Sequence, residues 1–154
     1  MPKLPYYFPT DLNSIEIPKT YVWKHYVENK YIKFEIDYPG YAVPSPEDSV
    51  SHDDIDSYSV MFGKEVEVSI MHSRFKNIDD FLSDWENNST TDLFVKKTKV
   101  DGYDALAIVG RNFLDNSIDS DYRIYFMAYG RLYTIWFFQP LNDKRIISSF
   151  KVLK

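Results

Sequence analysis

The chain has 154 residues, enough for one domain that buries a sizeable core without a cross-link. It contains no cysteine, which excludes disulfides, thiolate metal sites and cysteine nucleophiles. The net charge of −5 opposes nonspecific binding to nucleic acid or to an anionic membrane and favours basic partners, while aromatic residues make up an unusually large 18% of the chain.

The beginning of the chain differs from the rest in composition. Residues 1–20 are rich in proline and aromatic residues, and we interpret them as an arm or linker before a single domain at residues 21–154. No run approaches the ~18 apolar residues that cross a bilayer, and the first residues lack the apolar core of a signal peptide. We expect a soluble chain without an integral membrane segment, either cytoplasmic or exported with its leader removed.

The first half of the domain is predicted to contain a hairpin, a loop and a single strand. Residues 21–27 and 31–38 alternate apolar and polar side chains on either side of a turn-prone segment, which predicts two antiparallel strands. Residues 44–59 carry two prolines and five acidic residues, so we expect an exposed loop there. Alternation returns at residues 65–71, which predicts a further strand.

A helix follows this strand. Apolar residues recur with the helical period at Ile78, Phe81, Leu82 and Trp85. Asn77 is a suitable N-cap, and the acidic residues that follow it favour the positive end of the helix dipole. The polar residues 87–89 are expected to close the helix.

The second half is predicted as a meander. The four expected strands cover residues 93–100, 103–111, 122–129 and 132–138. Asp101-Gly102 predicts a type I′ turn and Gly130-Arg131 a type II′ turn. The second turn would set Tyr129 opposite Leu132 and Tyr125 opposite Trp136, on one side of the sheet. A short second helix and a strand-like end follow at residues 142–153.

The aromatic side of the meander indicates the architecture. Tyr125, Tyr129, Trp136 and Phe138 share this side, and each aromatic side chain presents about 150–250 Å², more in total than the few hundred Å² that a monomer usually leaves exposed as one patch. We therefore predict an α+β fold in which an antiparallel sheet of five or six strands carries a helix on each face, a three-layer α/β/α sandwich. Short helices cover such a sheet only in part, and the uncovered remainder is where we expect a groove.

The order of these elements and four short strings resemble the PsbP-like superfamily. The strings lie at residues 29–39, 100–105, 130–135 and 146–151. The superfamily also takes in the Ran-binding nuclear import factor of the same fold and many bacterial lipoprotein domains. The resemblance implies an antiparallel α/β/α sandwich in a family mostly of non-catalytic binding and assembly proteins, and it offers no catalytic residue. One departure is that Gly40-Tyr41 follows Tyr38-Pro39, where the family commonly has a tryptophan.

The leading functional hypothesis is a non-enzymatic domain that binds a protein or a small ligand. In this hypothesis Tyr125, Tyr129 and Trp136 line a groove on the aromatic sheet face. The alternative for these residues is ordinary core, covered by the helices and the arm.

The second hypothesis is an acidic inhibitor or immunity protein that neutralises a basic toxin or nuclease. The acidic residues of the predicted loop would contact the basic partner, and they are Glu47, Asp48, Asp53, Asp54 and Asp56. The same loop could bind calcium weakly through His52-Asp53-Asp54, but it lacks the order of an EF-hand, so we favour a solvated loop. A hydrolase using Glu65 and Glu67 is the third class, and a charged face of an exposed strand explains that pair better.

The sequence predicts no catalytic residue, no metal site and no cofactor. Lys96, Lys97 and Lys99 form a small basic stripe, which we interpret as solubility and edge protection of a strand and not as a nucleic-acid site.

Overall fold

The computed structural model describes residues 22–29, 33–51, 54–63, 66–88, 92–111, 122–138 and 143–153. These segments contain ten strands and two helices. In chain order they are β1 (Trp23–Glu28), β2 (Phe34–Pro39), β3 (Pro44–Ser51), β4 (Asp54–Phe62), β5 (Val66–His72), α1 (Ile78–Asn88), β6 (Asp92–Val100), β7 (Tyr103–Arg111), β8 (Tyr122–Ala128), β9 (Arg131–Phe137), α2 (Asp143–Ser149) and β10 (Lys151–Val152).

The strands form two antiparallel sheets. The large sheet has the order β3-β4-β5-β9-β8-β7-β6, and the small sheet has the order β1-β2-β10. The predicted antiparallel sheet is therefore confirmed, in a chain built mainly of strands with few helices. The expected width of five or six strands is wrong, because the acidic segment adds β3 and β4 to the large sheet and the first hairpin joins the separate small sheet.

The loop predicted at residues 44–59 is a hairpin. Pro44 pairs with Phe62 and Pro46 with Val60, at the edge of the large sheet. The N–H of Gly63 donates to the carbonyl oxygen of Val43, 3.5 Å away. Since hydrogen-bonded pairs alternate along antiparallel strands, the nitrogens of both prolines point away from β4. An edge strand tolerates proline in that position, which explains why a proline-containing segment forms β3.

The turn between β8 and β9 is of type I′ and contains Tyr129 and Gly130, whose φ angles are +52° and +71°. The prediction of a type II′ turn at residues 130–131 is wrong. Compared with the predicted register, the partner of each β8 residue on β9 is shifted by two residues, so that Tyr125 lies opposite Thr134 and Met127 opposite Leu132. A shift by two leaves every strand residue on its predicted face. The other predicted turn is confirmed, with positive φ angles at residues 101 and 102.

Helix α1 begins as predicted. The N–H of Asp80 donates to Asn77 Oδ1 at 2.9 Å, and the N–H of Phe81 donates to the carbonyl oxygen of Asn77 at 3.4 Å. The helix packs its apolar side chains against four buried residues on one face of the large sheet. These sheet residues are Leu106, Ile108, Tyr125 and Leu132, and the helix residues are Ile78, Phe81, Leu82 and Trp85.

A larger core lies on the opposite face of the large sheet. Phe150, which follows α2, stacks on Phe34 of β2 with ring centroids 5.4 Å apart and meets Phe126 of β8 edge to face at 5.6 Å. Ile146 of α2 and Ile36 of β2 belong to the same buried cluster. The small sheet and α2 thus share one core with the inner face of the large sheet.

The turn after β2 requires glycine. The N–H of Ala42 donates to the carbonyl oxygen of Pro39 at 2.9 Å, which brings Gly40 against the residue before β1. A Cβ atom on Gly40 would overlap the backbone carbonyl oxygen of Val22. The close approach of these two backbones excludes a larger residue here.

Candidate ligand-binding groove

A groove with a volume of about 490 Å³ lies between the end of the large sheet and α2. Such a volume is within the range of small-molecule sites. We call it the lysine groove. Its lining residues come from β6, the following turn, β7, β8, α2 and β10, and they are Lys96, Thr98, Lys99, Asp101, Ala107, Ile124, Lys144, Ile147, Ser148 and Lys151.

Strand pairing explains how the groove forms beside β6. Lys96 pairs with Ala107 and Thr98 with Ala105, and both alanines are buried in the core that α2 shares. Residues that alternate along β6 point to the same face, so Lys96 and Thr98 face α2 while Lys97 faces the side of α1. The small alanine side chains leave space between the sheet and the helix.

The wall formed by α2 is fixed to the small sheet. The N–H of Asp37 donates to Ser149 Oγ at 2.8 Å, and the same hydroxyl donates to the carbonyl oxygen of Ile146 at 2.8 Å. The guanidinium group of Arg145 lies 4.1 Å from the ring centroid of Trp23, a cation–π contact with β1. These contacts, together with the burial of Phe150, hold the helix in place.

The lining of the groove is basic in a chain that is acidic as a whole. Four lysines and one carboxylate, Asp101, are among the lining residues. The alternation along β6 places Lys99 on the same face as Lys97, so three of the four lysines lie on the side of α2. Asp101 Oδ2 accepts the N–H of Val152 at 2.9 Å, and Oδ1 lies 3.4 Å from Lys151 Nζ. Lys99 Nζ lies 3.3 Å from Asp104 Oδ1, but both side chains are exposed, so this pair contributes little. Several like charges around one concavity raise the local concentration of anions.

The predicted aromatic site residues lie in three different environments. Tyr125 is buried, with its ring centroid 4.8 Å from that of Phe81 and 5.0 Å from that of Trp85, and burial raises the pKa of its hydroxyl. Trp136 shares this face, half-buried, with the guanidinium carbon of Arg123 3.9 Å from its ring centroid.

Tyr129 lies at the β8–β9 turn and is 56% exposed. Its hydroxyl bonds with that of Tyr103, which raises the pKa of Tyr103. Tyr103 packs on the core of the opposite face. The structure therefore brings Tyr125 and Trp136 onto one face and separates Tyr129 from them, because the turn and not the strand alternation sets its direction. Partner binding by these residues stays a prediction.

Four of the five acidic residues of the second hypothesis lie on two paired strands, β3 and β4. Glu47 and Asp48 belong to β3, whereas Asp54 and Asp56 belong to β4. Asp53 lies outside the described residues, as does His52. Binding of a basic partner by this hairpin stays a prediction.

The carboxylate pair of the hydrolase hypothesis lies only partly within the described residues. Glu67 of β5 accepts a hydrogen bond from Ser69 Oγ at 2.6 Å, and Glu65 lies outside the described residues. Within the described segments, no group of three or more histidine, aspartate or glutamate residues is arranged to hold a metal ion. No helix in the described part of the chain is long and apolar enough to cross a membrane.

The lysine groove is not among the sites predicted from the sequence, although two of its residues belong to the predicted basic stripe. Lys96 and Lys99 lie on β6, which is an edge strand of the large sheet, in agreement with their interpretation as residues that protect a strand edge. The other two lysines of the groove, Lys144 and Lys151, are distant from β6 in the sequence. They lie beside the groove only because α2 packs against the core. The available signal was the pairing of a lysine and a threonine with two small alanines.

Comparisons with protein-family models and with curated proteins found no match to this chain. The PsbP-like resemblance therefore stays a prediction.

Proposed function

We propose that this chain is a non-enzymatic binding domain of the three-layer, PsbP-like type, and that the lysine groove holds an anionic ligand. The packing of α1 and α2 against opposite faces of the large sheet supports the layered arrangement. The observation that carries the functional proposal is the position of three lysines, Lys96, Lys144 and Lys151, around a groove of about 490 Å³ in a chain with a net charge of −5.

The state of the polar groups in the groove favours binding over catalysis. The Asp101 carboxylate is held by the N–H of Val152 and by Lys151. The Ser148 hydroxyl donates to the carbonyl oxygen of Arg145 at 3.1 Å. Both groups thus take part in structural hydrogen bonds, and they are not arranged as a nucleophile with its base.

The lysine groove replaces the aromatic face as the proposed ligand site. Tyr125 is only 6% exposed beneath α1, and Tyr129 contacts the opposite face. A ligand on the aromatic face would therefore contact only some of the three predicted site residues, Tyr125, Tyr129 and Trp136. The lysine groove offers both space and positive charge.

The test compares two neighbouring lysines on opposite faces of β6. Pyrophosphate is titrated into the protein at low ionic strength, and amide chemical shifts are followed by NMR. We expect shifts concentrated in residues 96–101 and 144–151, weakening as salt is added. Lys96→Glu should abolish them, whereas Lys97→Glu, with the same charge change on the other face, should leave them intact.

Equal effects of the two variants would show attraction by overall charge, and the proposed site would be wrong. Shifts centred on residues 44–62 or on Trp136 would also contradict it. Thermal melts of both variants check that each still folds.

A further inference from the structure

We infer that the open edge of the small sheet takes up an extended segment of a partner protein, which adds antiparallel to β1 as a fourth strand. The segment carries apolar side chains on the face that it turns toward the large sheet, and on the same face a carboxylate for Lys24. This surface shares no residue with the lysine groove, so the inference goes beyond the proposed function and does not depend on it.

The backbone of β1 has hydrogen-bonding groups that its own sheet does not use. β1 lies at the end of the order β1-β2-β10, and no described strand pairs with its other side. The N–H of Asp37 on β2 donates to Ser149 Oγ at 2.8 Å, away from β1, so His25 and Asp37 form a pair without ladder hydrogen bonds. Because bonded and non-bonded pairs alternate, the N–H and carbonyl groups of His25 and Val27 point to the open edge.

The sequence of β1 does little to oppose strand addition. Residues 23–28 contain no proline and one lysine, whereas β3 contains two prolines and β6 three lysines. Proline and lysine are the residues that most often protect a sheet edge. Val27 is 44% exposed on β1. Among the edge strands β1, β3 and β6, β1 is therefore the least protected.

A ledge lies beneath this open edge. The ring of Tyr26 on β1 meets that of Phe62 on β4 edge to face, with centroids 5.3 Å apart. Glu28 of β1 accepts a hydrogen bond from the hydroxyl of Tyr58, which also belongs to β4. β1 thus packs over β4, and β3, the next strand of the large sheet, extends beyond β1. A strand added to β1 would lie over β3.

The ledge is apolar where the added strand would cover it. Pro44 pairs with Phe62 and Pro46 with Val60. These partners are buried in the core shared with the small sheet, so both prolines face the layer of the small sheet. Pro46 is exposed, and Val43, directly before β3, is 75% exposed. Apolar side chains on the inner face of the added strand would remove this surface from water.

The charge beside the ledge favours an acidic residue in the added strand. Lys24 is exposed and pairs with the buried Tyr38, so it belongs to the inner face of β1. Its Cε lies 3.5 Å from the position of a Cβ atom on Gly40, in the turn that leads toward β3. Within the described segments, no carboxylate pairs with Lys24. A carboxylate on the inner face of the added strand would supply this counter-charge.

The probe is the capped peptide Ac-Ser-Val-Thr-Val-Thr-Glu-Ser-NH2, whose valines and glutamate share one face of a strand. It is titrated into the full chain and followed by amide chemical shifts. We expect shifts in residues 22–28 and 43–46, and slower amide exchange of His25 and Val27. In an antiparallel addition the threonine N–H groups face β1 and the valine N–H groups face solvent. N-methylation of both threonines should therefore abolish binding, and N-methylation of both valines should preserve it.

Two protein variants test the same contacts from the other side. Val27→Pro removes an N–H that points to the open edge and no hydrogen bond between β1 and β2, and we expect about tenfold weaker binding. Lys24→Glu should weaken the probe and favour a peptide with lysine in place of glutamate. Lys97→Glu makes the same charge change on the large sheet and should change neither peptide. Thermal melts check folding, and the two N-methylated peptides decide the question on the wild-type protein if Val27→Pro does not fold.

Several outcomes would overturn the inference. The probe would then fail to bind, or both N-methylated peptides would bind equally. Shifts centred on residues 96–101 and 144–151 would assign the peptide to the lysine groove instead. Concentration-dependent shifts of residues 23–28 without peptide would show that a second copy of the chain occupies the edge. Nuclear Overhauser contacts from His25 or Val27 to residues 1–21 would show that the chain itself occupies it.

Discussion

His25 lies between two carboxylates of the neighbouring strand. Its Nδ1 is 2.7 Å from Asp37 Oδ1, and its Nε2 is 3.2 Å from Glu35 Oε2. Hydrogen bonds to Asp37, and then to Glu35, raise the pKa of His25 above 6.5, while partial burial opposes them. Arg145 also faces this group, with its Nη2 3.9 Å from Asp37 Oδ2. The charged imidazole therefore bridges two acidic side chains on β2.

The first prediction concerns the titration of His25. Because its pKa is higher in the folded chain, the charged form stabilises the fold fully below the unfolded value of about 6.5, and this contribution is lost as the pH rises through the folded value. NMR titration should give a pKa above 6.5, and Asp37→Asn should lower it more than Glu35→Gln. His25→Gln should reduce the free energy of unfolding more at about pH 5.5 than at about pH 8.5.

A pKa at or below 6.5 in the native protein would contradict this arrangement. So would an equal effect of His25→Gln at both pH values. His25 has an exposed side chain, so the expected energetic effect is small, and the NMR titration is the more decisive measurement.

Among the elements, the β8–β9 turn places an L-residue in the left-handed region. Tyr129 occupies the first position of a type I′ turn, where asparagine and glycine are favoured. Gly130 occupies the second position, and nothing lies within 4 Å of a Cβ atom added there. A side chain at Gly130 would therefore lower stability through its backbone conformation and not through a clash with neighbouring atoms.

The second prediction follows from this turn. Gly130→Ala should lower the free energy of unfolding by about 1–2 kcal/mol, the cost of the left-handed region for an L-residue. Tyr129→Asn should keep or increase stability, because asparagine tolerates this region better. Urea unfolding measures both variants. An unchanged stability of Gly130→Ala would mean that the turn is not of type I′.

Periodicity predicted most elements because it depends on neighbours along the chain. Helix α1 and its Asn77 cap, the first hairpin and the four later strands are local patterns, and each is found in the structure. The faces of β8 and β9 were also predictable, since a shift of two residues preserves them. The loop predicted at residues 44–59 is wrong because proline and charged residues are found in edge strands as well as in loops.

The lysine groove was not predictable in the same way. Two of its lysines lie on β6, one on α2 and one on β10, and only the packing of α2 against the shared core brings these elements together. Likewise, the direction of Tyr129 depends on turn geometry, which a strand pattern does not contain. Tertiary packing therefore determines the groove, and the turn type determines the direction of the Tyr129 side chain.

At the scale of the molecule, Asp101 connects the two sheets. It lies in the turn between β6 and β7 of the large sheet, with a φ of +49° that aspartate tolerates better than most residues. Its carboxylate accepts the N–H of Val152 at 2.9 Å in β10 of the small sheet. Next to it, the N–H of Leu153 donates to the carbonyl oxygen of Lys33 at 2.9 Å. The end of the chain is thus attached to both sheets.

The third prediction tests this connection. Asp101→Asn keeps the turn-compatible side chain but removes the charge, and we expect amide hydrogen exchange of Val152 to become faster because the charge-assisted hydrogen bond is lost. Asp104→Asn is the matched control, since Asp104 is an exposed carboxylate of the same hairpin whose pair with Lys99 contributes little. Equal exchange rates of Val152 in the two variants would contradict the role of Asp101.

The two edges of the large sheet bear on how the chain behaves at high concentration. At one edge, Pro44 and Pro46 remove outward-pointing donors from β3, and at the other, three lysines crowd β6. An incoming strand would find missing hydrogen-bond donors on one side and electrostatic repulsion on the other. We therefore expect the sheet edges to oppose the strand-by-strand growth that leads to fibrils, although ten of the twelve elements in the described residues are β-strands.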